Sequence, residues 1–146
     1  MNLIELLRLM VDFGLVVLIW MVQLIIYPGF RHYQEARLLY WHPKYTSLIT
    51  FVVAPLMLGQ LFLHSLQLFE NNNWYTLISF VLVLFTWILT LTQAVPLHKN
   101  LTDGTHIPES TEKLIRTNWN RTALWTLIFL CGVYKSIILN SDLIYF

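Results

Sequence analysis

Four residues of the chain combine groups that can transfer protons with groups that can stabilise negative charge. His42 and His98 carry imidazoles, which titrate near neutral pH and serve most often as general bases. Asn118 and Arg121 stand three positions apart, so a helix presents them on one face. An arginine beside an amide can stabilise a developing oxyanion or enolate. We therefore predict a catalytic set composed of His98, Arg121, Asn118 and His42.

Polar and aromatic residues close to this set are candidates for binding a substrate. Gln23 and Tyr27, at the end of the first apolar segment, are expected to orient it. The other candidates are aromatic or amide side chains: Tyr45, Gln93, Trp119, Asn120 and Trp125. A plain interfacial anchor is the competing interpretation, because tryptophan and tyrosine are enriched where a membrane meets water.

Long apolar segments must position these residues. The 146-residue chain is 57% hydrophobic and only 12% charged, whereas soluble domains carry about 25% charged residues. Uncharged runs cover 13–30, 45–69 and 74–95, and a shorter run covers 122–134. Because roughly 20 apolar residues cross a bilayer as a helix, the sequence predicts four helices, at 3–28, 44–69, 74–96 and 118–140.

The predicted fold class is all-α: a single domain over 1–146, built as an integral membrane bundle of four antiparallel helices. Basic residues concentrate in the first and third loops and are missing from the second: Arg31, Arg37, Lys44, Lys99, Lys113, Arg116 and Arg121. Since basic loops remain in the cytoplasm, both termini are expected outside. The expected location is the bacterial inner membrane.

Prolines are expected to set the ends of the helices. Pro28 and Pro96 should end the first and third helices, because proline removes a backbone donor and clashes with the preceding turn. Pro43 should open the second helix, since the residue before proline disfavours the helical region. Pro55 should kink that helix, and the segment from Pro108 should form a short helix leading into the fourth.

Each predicted helix also carries polar residues on one face. The periodicity of 3.6 residues aligns these groups, helix by helix: Glu5, Arg8, Asp12 and Gln23; Gln60, His64 and Gln67; Ser79, Thr86, Thr90 and Gln93; Asn118, Arg121, Trp125 and Lys135. Because polar groups are costly at membrane depth, these stripes should face the interior. We predict that five of them form an intramembrane network: Arg8, Asp12, Gln60, His64 and Lys135. Asp12 is expected to pair with Lys135, unless both reach outward to headgroups.

Five short segments carry a resemblance to a known family: YP at 27–28, WHPKY at 41–45, VAPLM at 53–57, VPLH at 95–98 and, most specifically, RTNWNRTALWT at 116–126. The chain resembles small bacterial four-helix membrane proteins of unassigned function, which are distantly similar to anthrone-oxygenase-like proteins. Where that family often has a second His and a Glu, this chain has Tyr45 and Gln60. The resemblance implies a four-helix membrane fold, a site near His98, Asn118 and Arg121, and an oxygenase-like or related small-molecule enzyme.

Three functions remain open at this point. The first is a membrane-embedded binder or enzyme for a lipophilic small molecule, such as a polycyclic aromatic, a quinone or an isoprenoid, at the cytoplasmic end. The second is a redox protein with haem between His42 and His98 or with another metal, although no metal-ligand spacing is present. The third is an accessory subunit of a membrane complex, or a small oligomeric transporter with an ion path through Asp12. The net charge of +1 does not indicate a nucleic-acid partner.

Overall fold

Four long helices account for nearly all of the described chain. The computed structural model describes the backbone of residues 2–141 and the side chains of residues 2–137, so residue 1 and residues 142–146 of the predicted domain lie outside it. The helices, with their short π and 3₁₀ turns included, are α1 (Leu3–His32), α2 (Glu35–Glu70), α3 (Trp74–Thr102) and α4 (Ile107–Ser141). Residues 2–141 contain no β-strand.

Asparagine caps fix the start of α1 and of α3. The Asn2 side chain accepts a hydrogen bond from the Glu5 backbone at 2.8 Å, and the Glu5 carboxylate accepts one from the Asn2 backbone at 3.1 Å. Asn73 and Thr76 form the same reciprocal box before α3. Each box satisfies backbone donors that a helix leaves free in its first turn. The short turn between α2 and α3 can therefore be followed at once by a regular helix.

The prolines do not end the helices where we predicted. The first helix runs past Pro28 to His32, and the third runs past Pro96 to Thr102. A π turn precedes each proline, at Val22–Ile26 and at Thr90–Ala94. The wider turn shifts the hydrogen-bond register just where a proline lacks its N–H, which lets the helix continue.

The start of the second helix is also earlier than predicted. The helix α2 begins at Glu35, and both Pro43 and Pro55 lie inside it. Conversely, the segment at Pro108 is helical as expected but is continuous with α4. Between α3 and α4 the chain turns at Gly104, whose φ of 72° lies in the left-handed region that favours glycine.

The bundle has a polar interior and an apolar exterior. Exposed side chains include Phe51 and Phe69, whose exposed fractions are 82% and 86%. Arg8, Asp12 and Gln60, in contrast, are at most 1% exposed. The polar stripes therefore face inward, as helical periodicity predicts. In packing, α1 contacts α2 and α4, and α3 contacts the same two helices.

Three of the helices are long and apolar enough to cross a membrane: α1, α2 and α3. Over the residues described, α4 does not meet the same criteria of length and composition. Its apolar run is bounded by Arg121 and Lys135 and is the shortest of the four. The structure thus has the helices of a membrane protein, with the predicted fourth span the least apolar.

Candidate functional site

A cavity of about 200 Å³ lies between the helices at the end of the bundle that contains His98 and Arg121. Its wall is mostly aliphatic and aromatic: Leu18, Ile19, Val22, Tyr27, Tyr45, Ile49, Thr50, Val53, Ala54, Met57, Trp87, Thr90, Ala94, Val95, His98 and Arg121. Pockets of this kind, apolar with a few convergent polar groups, are the usual form of small-molecule sites. We call this space the head-group cavity.

Arg121 supplies the positive charge of the head-group cavity. The residue is 6% exposed, and its buried Nε has no hydrogen-bond partner among the described residues. The guanidinium acts electrostatically on the Tyr27, Tyr45 and His98 side chains. Within residues 2–137 it forms no ion pair with a carboxylate. Arg121 therefore places a buried cation in the cavity wall.

Side chains from two helices hold Arg121 in place. Its Nη1 donates to the Asn118 amide oxygen at 3.2 Å, and Asn118 in turn donates to Gln23 at 2.8 Å. Gln23 donates to the Ile115 carbonyl at 3.2 Å. On the other side, the guanidinium lies 5.1 Å from the centre of the buried Trp125 ring, within the range of cation–π attraction. Gln23, Asn118 and Trp125 thus orient the arginine and do not themselves line the cavity.

The two predicted histidines meet in a chain of four hydrogen-bonded side chains. Tyr27 Oη lies 2.9 Å from His98 Nε2, and His98 Nδ1 lies 3.0 Å from His42 Nε2. His42 Nδ1 lies 3.0 Å from Thr102 Oγ1. His42 is fully buried behind His98, whereas His98 itself borders the cavity. We call Tyr27, His98, His42 and Thr102 the histidine chain.

Both π turns lie beside the site. Val22–Ile26 includes the buried Gln23 and directly precedes Tyr27, while Thr90–Ala94 supplies two residues of the cavity wall and precedes His98. A π turn inserts an extra residue and so rotates the side chains that follow it. Such turns occur frequently at functional sites, and here they aim Tyr27 and His98 at the same space.

The head-group cavity opens sideways between α2 and α3. Thr50 on α2 and Val95 on α3 are both exposed, and both line the cavity and a shallower cleft outside it. The π turn of α3 packs against α4. The opening therefore faces the apolar surface of the bundle, where a bilayer would supply lipophilic molecules directly.

Five of the seven predicted substrate-binding residues do not line the cavity: Gln23 and Trp125, which hold Arg121, and Gln93, Trp119 and Asn120. Trp119 and Asn120 are exposed, and Trp119 packs edge-on against Trp20 at 5.7 Å between ring centres. The helix turns by about 100° per residue, so the face that buries Asn118 and Arg121 directs their two intervening neighbours outward. Gln93 is half-buried and also does not line the cavity.

A second polar cluster occupies the other half of the bundle. The Asp12 carboxylate accepts a hydrogen bond from Gln60 at 2.7 Å and lies 3.3 Å from His64 Nε2. Arg8 Nε lies 4.0 Å from Asp12, and Arg8 Nη1 donates to Gln67 at 2.8 Å and to Tyr75 at 2.6 Å. We call these six residues the carboxylate cluster: Arg8, Asp12, Gln60, His64, Gln67 and Tyr75.

The expected pair of Asp12 with Lys135 is not the one that forms. Lys135 Nζ lies 3.5 Å from a Glu5 carboxylate oxygen and 4.8 Å from the centre of the Tyr75 ring. Arg8, one helical turn before Asp12, is nearer to that carboxylate and neutralises it locally. Helical spacing puts Arg8 and Asp12 on the same face of α1, so the nearest charge is on the same helix and not across the bundle.

The arrangement of the histidines does not fit a haem held between His42 and His98. Two axial imidazoles approach haem iron from opposite faces of the porphyrin. Here the two rings are hydrogen-bonded to each other with their centres 5.2 Å apart. The cavity beside them is also smaller than the roughly 300–1,000 Å³ of drug-sized ligand pockets. Among the described residues, no three or more His, Cys, Asp or Glu side chains are grouped to hold a metal ion.

Sequence reasoning missed most of the cavity wall. Trp87 is the most informative omission, because it lines the cavity together with Tyr27, His98 and Arg121 and adds a large aromatic surface to the wall. Comparison of the chain with protein-family models, with curated proteins and with solved structures found no match. The family resemblance therefore stays a prediction.

Proposed function

We propose that this chain is an integral protein of the bacterial inner membrane that binds a lipophilic small molecule in the head-group cavity and acts on it by acid–base chemistry. In this proposal all four helices cross the membrane in antiparallel order, with both termini outside and the cavity at the cytoplasmic end. The basic residues around the α1–α2 and α3–α4 turns, which lie on the adjoining helix ends, support that orientation. The apolar exterior of the bundle supports the membrane location.

The observation that carries the proposal is the unbalanced charge of Arg121 at one end of an apolar cavity. A buried charge without an ionic partner is costly within a membrane, and at the centre of a membrane helix an arginine costs about 2.5–3.5 kcal/mol on the insertion scale. Asp12 offsets the charge of Arg8 in the other cluster, but no described carboxylate does so for Arg121. A ligand oxygen with partial or full negative charge would supply the missing partner.

The size of the cavity narrows the ligand class. A cavity of about 150 Å³ lined by apolar side chains holds benzene, so about 200 Å³ accommodates one six-membered ring with small substituents. A polycyclic aromatic would not fit without rearrangement. We therefore favour a quinone-like or phenol-like head group whose lipid tail leaves through the opening between Thr50 and Val95.

The chemistry that this geometry supports is proton transfer at an oxygen-bearing ring. Arg121 would stabilise the phenolate or enolate oxygen, since donors held rigidly in a dry site favour developing charge strongly. Tyr27 and His98 border the same cavity and would add or remove the proton. Tyr45, which also lines the wall, would pack against the ring.

A chromogenic phenol tests the site. A 4-octyl-2-nitrophenol, which becomes yellow on ionisation, is titrated into the detergent-purified protein, and both affinity and phenolate colour are recorded. We expect R121M to weaken binding by about 10-fold or more and to reduce the phenolate fraction, because a buried charge partner contributes about 2 kcal/mol or more. The matched control is R116M, an exposed arginine on the same helix, which should bind like the wild type.

A second pair of variants tests whether the probe enters the cavity. A54L places extra carbon atoms in the wall, whereas V52L enlarges an exposed side chain on the same helix. We expect only A54L to lower the affinity. Equal binding by wild type, A54L and R121M would overturn the proposed site. Turnover is then sought with quinols and enolisable ketones that bind competitively with the probe.

A further inference from the structure

The histidine chain connects the surface of the bundle with the head-group cavity. At its outer end, Thr102 is exposed in the last turn of α3. At its inner end, Tyr27 is 4% exposed and lines the cavity. Between them, His42 and His98 provide two imidazoles in series, each of which uses both ring nitrogens. A continuous path of hydrogen bonds with no water in it therefore links the two ends.

The hydrogen bond between the two imidazole rings restricts where their protons can lie. His42 Nε2 and His98 Nδ1 are 3.0 Å apart, so one of them must carry a proton and the other must not. For two neutral rings this leaves two arrangements. In the first, Tyr27 donates to His98, His98 to His42, and His42 to Thr102. In the second, all of these donors and acceptors are exchanged.

We propose that the His42–His98 pair is a proton relay between Thr102 at the surface and Tyr27 in the cavity. This relay depends on the proposed function in one respect only: the proposed function supplies the ligand that exchanges a proton with Tyr27. The relay adds a role for the buried His42, which does not touch the cavity: it passes protons on behalf of His98.

Inward transfer starts from the arrangement in which Thr102 donates to His42. The Thr102 hydroxyl proton moves to His42 Nδ1 and is replaced by a proton from a surface water, which leaves as hydroxide. The His42 Nε2 proton moves to His98 Nδ1, and the His98 Nε2 proton moves to the Tyr27 oxygen. The Tyr27 hydroxyl proton moves to the ligand oxygen. One proton has crossed, every group is neutral again, and the chain now holds the opposite arrangement, ready to carry a proton outward.

Few other ionisable groups face the relay. Tyr45 lies on the α2 side, with its ring centre 6.0 Å from that of His42 and 6.1 Å from that of His98. Arg121 approaches from α4 and acts on His98. Phe30 of α1 closes the remaining side, with its ring centre 5.5 Å from that of His42. Aromatic rings and one cation thus cover the inner sides of the pair, while His98 also lines the outer cleft beside Lys99 and Thr102.

Nitrogen-15 NMR of histidine-labelled protein tests the relay without any ligand. An unpaired buried N–H is rarer than an unpaired acceptor, so T102V should favour a bare Nδ1 on His42. The relay then predicts a bare Nδ1 on His98 too, although His98 does not contact Thr102. Y27F should drive both rings to the opposite tautomer. The control is T46V, whose hydroxyl donates to the Pro43 carbonyl beside the same outer cleft.

We expect His42 and His98 to share one tautomer in T102V and the opposite one in Y27F, while T46V resembles the wild type. A change confined to the ring next to the substitution would overturn the relay, and so would two rings in unlike tautomers.

In a second measurement, the bound nitrophenolate probe is protonated by a rapid pH drop. T102V should be slower than T46V by about 100-fold, the lower range for a positioned acid–base group, and equal rates would count against the relay. If the probe does not bind at all, the proposed function fails while the tautomer test still decides the relay.

Discussion

Two polar clusters share the interior of this bundle, and they differ in how their charges are matched. In the carboxylate cluster, the charge of Asp12 is matched by Arg8, with Gln60 and His64 on the same carboxylate. In the head-group cavity, Arg121 has amide and aromatic neighbours but no acidic partner among the described side chains. The first cluster is packed, whereas the second borders a space of about 200 Å³.

The difference separates a structural use of buried charge from a functional one. A packed buried ion pair holds helices in register and leaves no space for a ligand, although Arg8 Nε and Gln67 Nε2 have no hydrogen-bond partner among the described residues. A buried cation without a counter-ion stores unfavourable energy that a ligand can relieve. The two clusters are also joined, because Trp125 donates to Gln60 at 3.0 Å while its ring supports Arg121. The matched cluster thus steadies the unmatched one.

The largest expected effect comes from breaking the matched pair. D12N leaves Arg8 as a buried charge without a partner, and we expect the free energy of unfolding to fall by about 3–5 kcal/mol. Reversible unfolding in mixed micelles measures it. The double variant R8M with D12L removes both charges and should recover most of the loss. If D12N proved as stable as the wild type, the ion pair of Arg8 with Asp12 would not be what stabilises this half of the bundle.

The next largest loss of stability is expected at Gly132, which lies close to Arg8. A Cβ at Gly132 would lie 2.8 Å from Arg8 Nη2 and 2.9 Å from a Leu9 methyl carbon, while a Cβ at Gly59 would meet nothing within 4 Å. Since the network fixes Arg8, we expect G132A to lower the free energy of unfolding by about 1–3 kcal/mol. G59A should be neutral or stabilising by up to about 1 kcal/mol. Equal stability of the two variants would show that Arg8 is free to move.

Removing the unmatched charge should affect stability least among the buried changes. R121M loses a hydrogen bond to Asn118, which contributes about 0.5–1.5 kcal/mol, but it also removes an uncompensated cation from the interior. We expect a free energy of unfolding within about 1 kcal/mol of the wild type, or higher, together with the loss of probe binding described above. A strong destabilisation would place Arg121 with the structural residues.

A surface pair outside both clusters gives the smallest effect and a pH control. Arg31 donates twice to the Glu112 carboxylate at 2.6 Å, and both side chains are well exposed. This hydrogen bonding lowers the pKa of Glu112 below its ordinary value of 4.5. The contribution of the pair to stability is therefore present above that ordinary value and is lost as the pH falls through the lowered one. E112Q should be slightly less stable than wild type at neutral pH, with the difference vanishing in strong acid and in high salt.

The general plan of the bundle follows from the sequence, and its details do not. Uncharged runs give the four helices, and the spacing of polar residues gives the buried faces, because hydropathy and helical periodicity are local properties. The ends at Pro28 and Pro96 were wrong because the rule for proline assumes an α turn, whereas each proline follows a π turn. No local pattern marks a π turn in advance.

The candidate site was also predicted only in part, because some of its contacts lie within one helix and others depend on how the helices pack. Arg121 and Asn118 share a helix, so their contact could be expected from spacing alone. The contact of His42 with His98 depends on how α2 and α3 lie against each other, which no spacing within one helix determines. Trp119 and Asn120 were grouped with the site because they adjoin it in sequence, but they lie on another face of the helix.

The π turns also make the hydrogen-bond register between the two clusters a functional quantity. In α1, the turn at Val22–Ile26 separates Asp12 from Tyr27 and holds one residue more than an α turn would. The rotation from Asp12 to Tyr27 is therefore about 100° smaller than in an unbroken α-helix of the same length. Substitutions that returned this segment to α-helical hydrogen bonding would keep the carboxylate cluster and turn Tyr27 away from the cavity. Deleting one residue together with the π turn would instead keep Tyr27 on its present face.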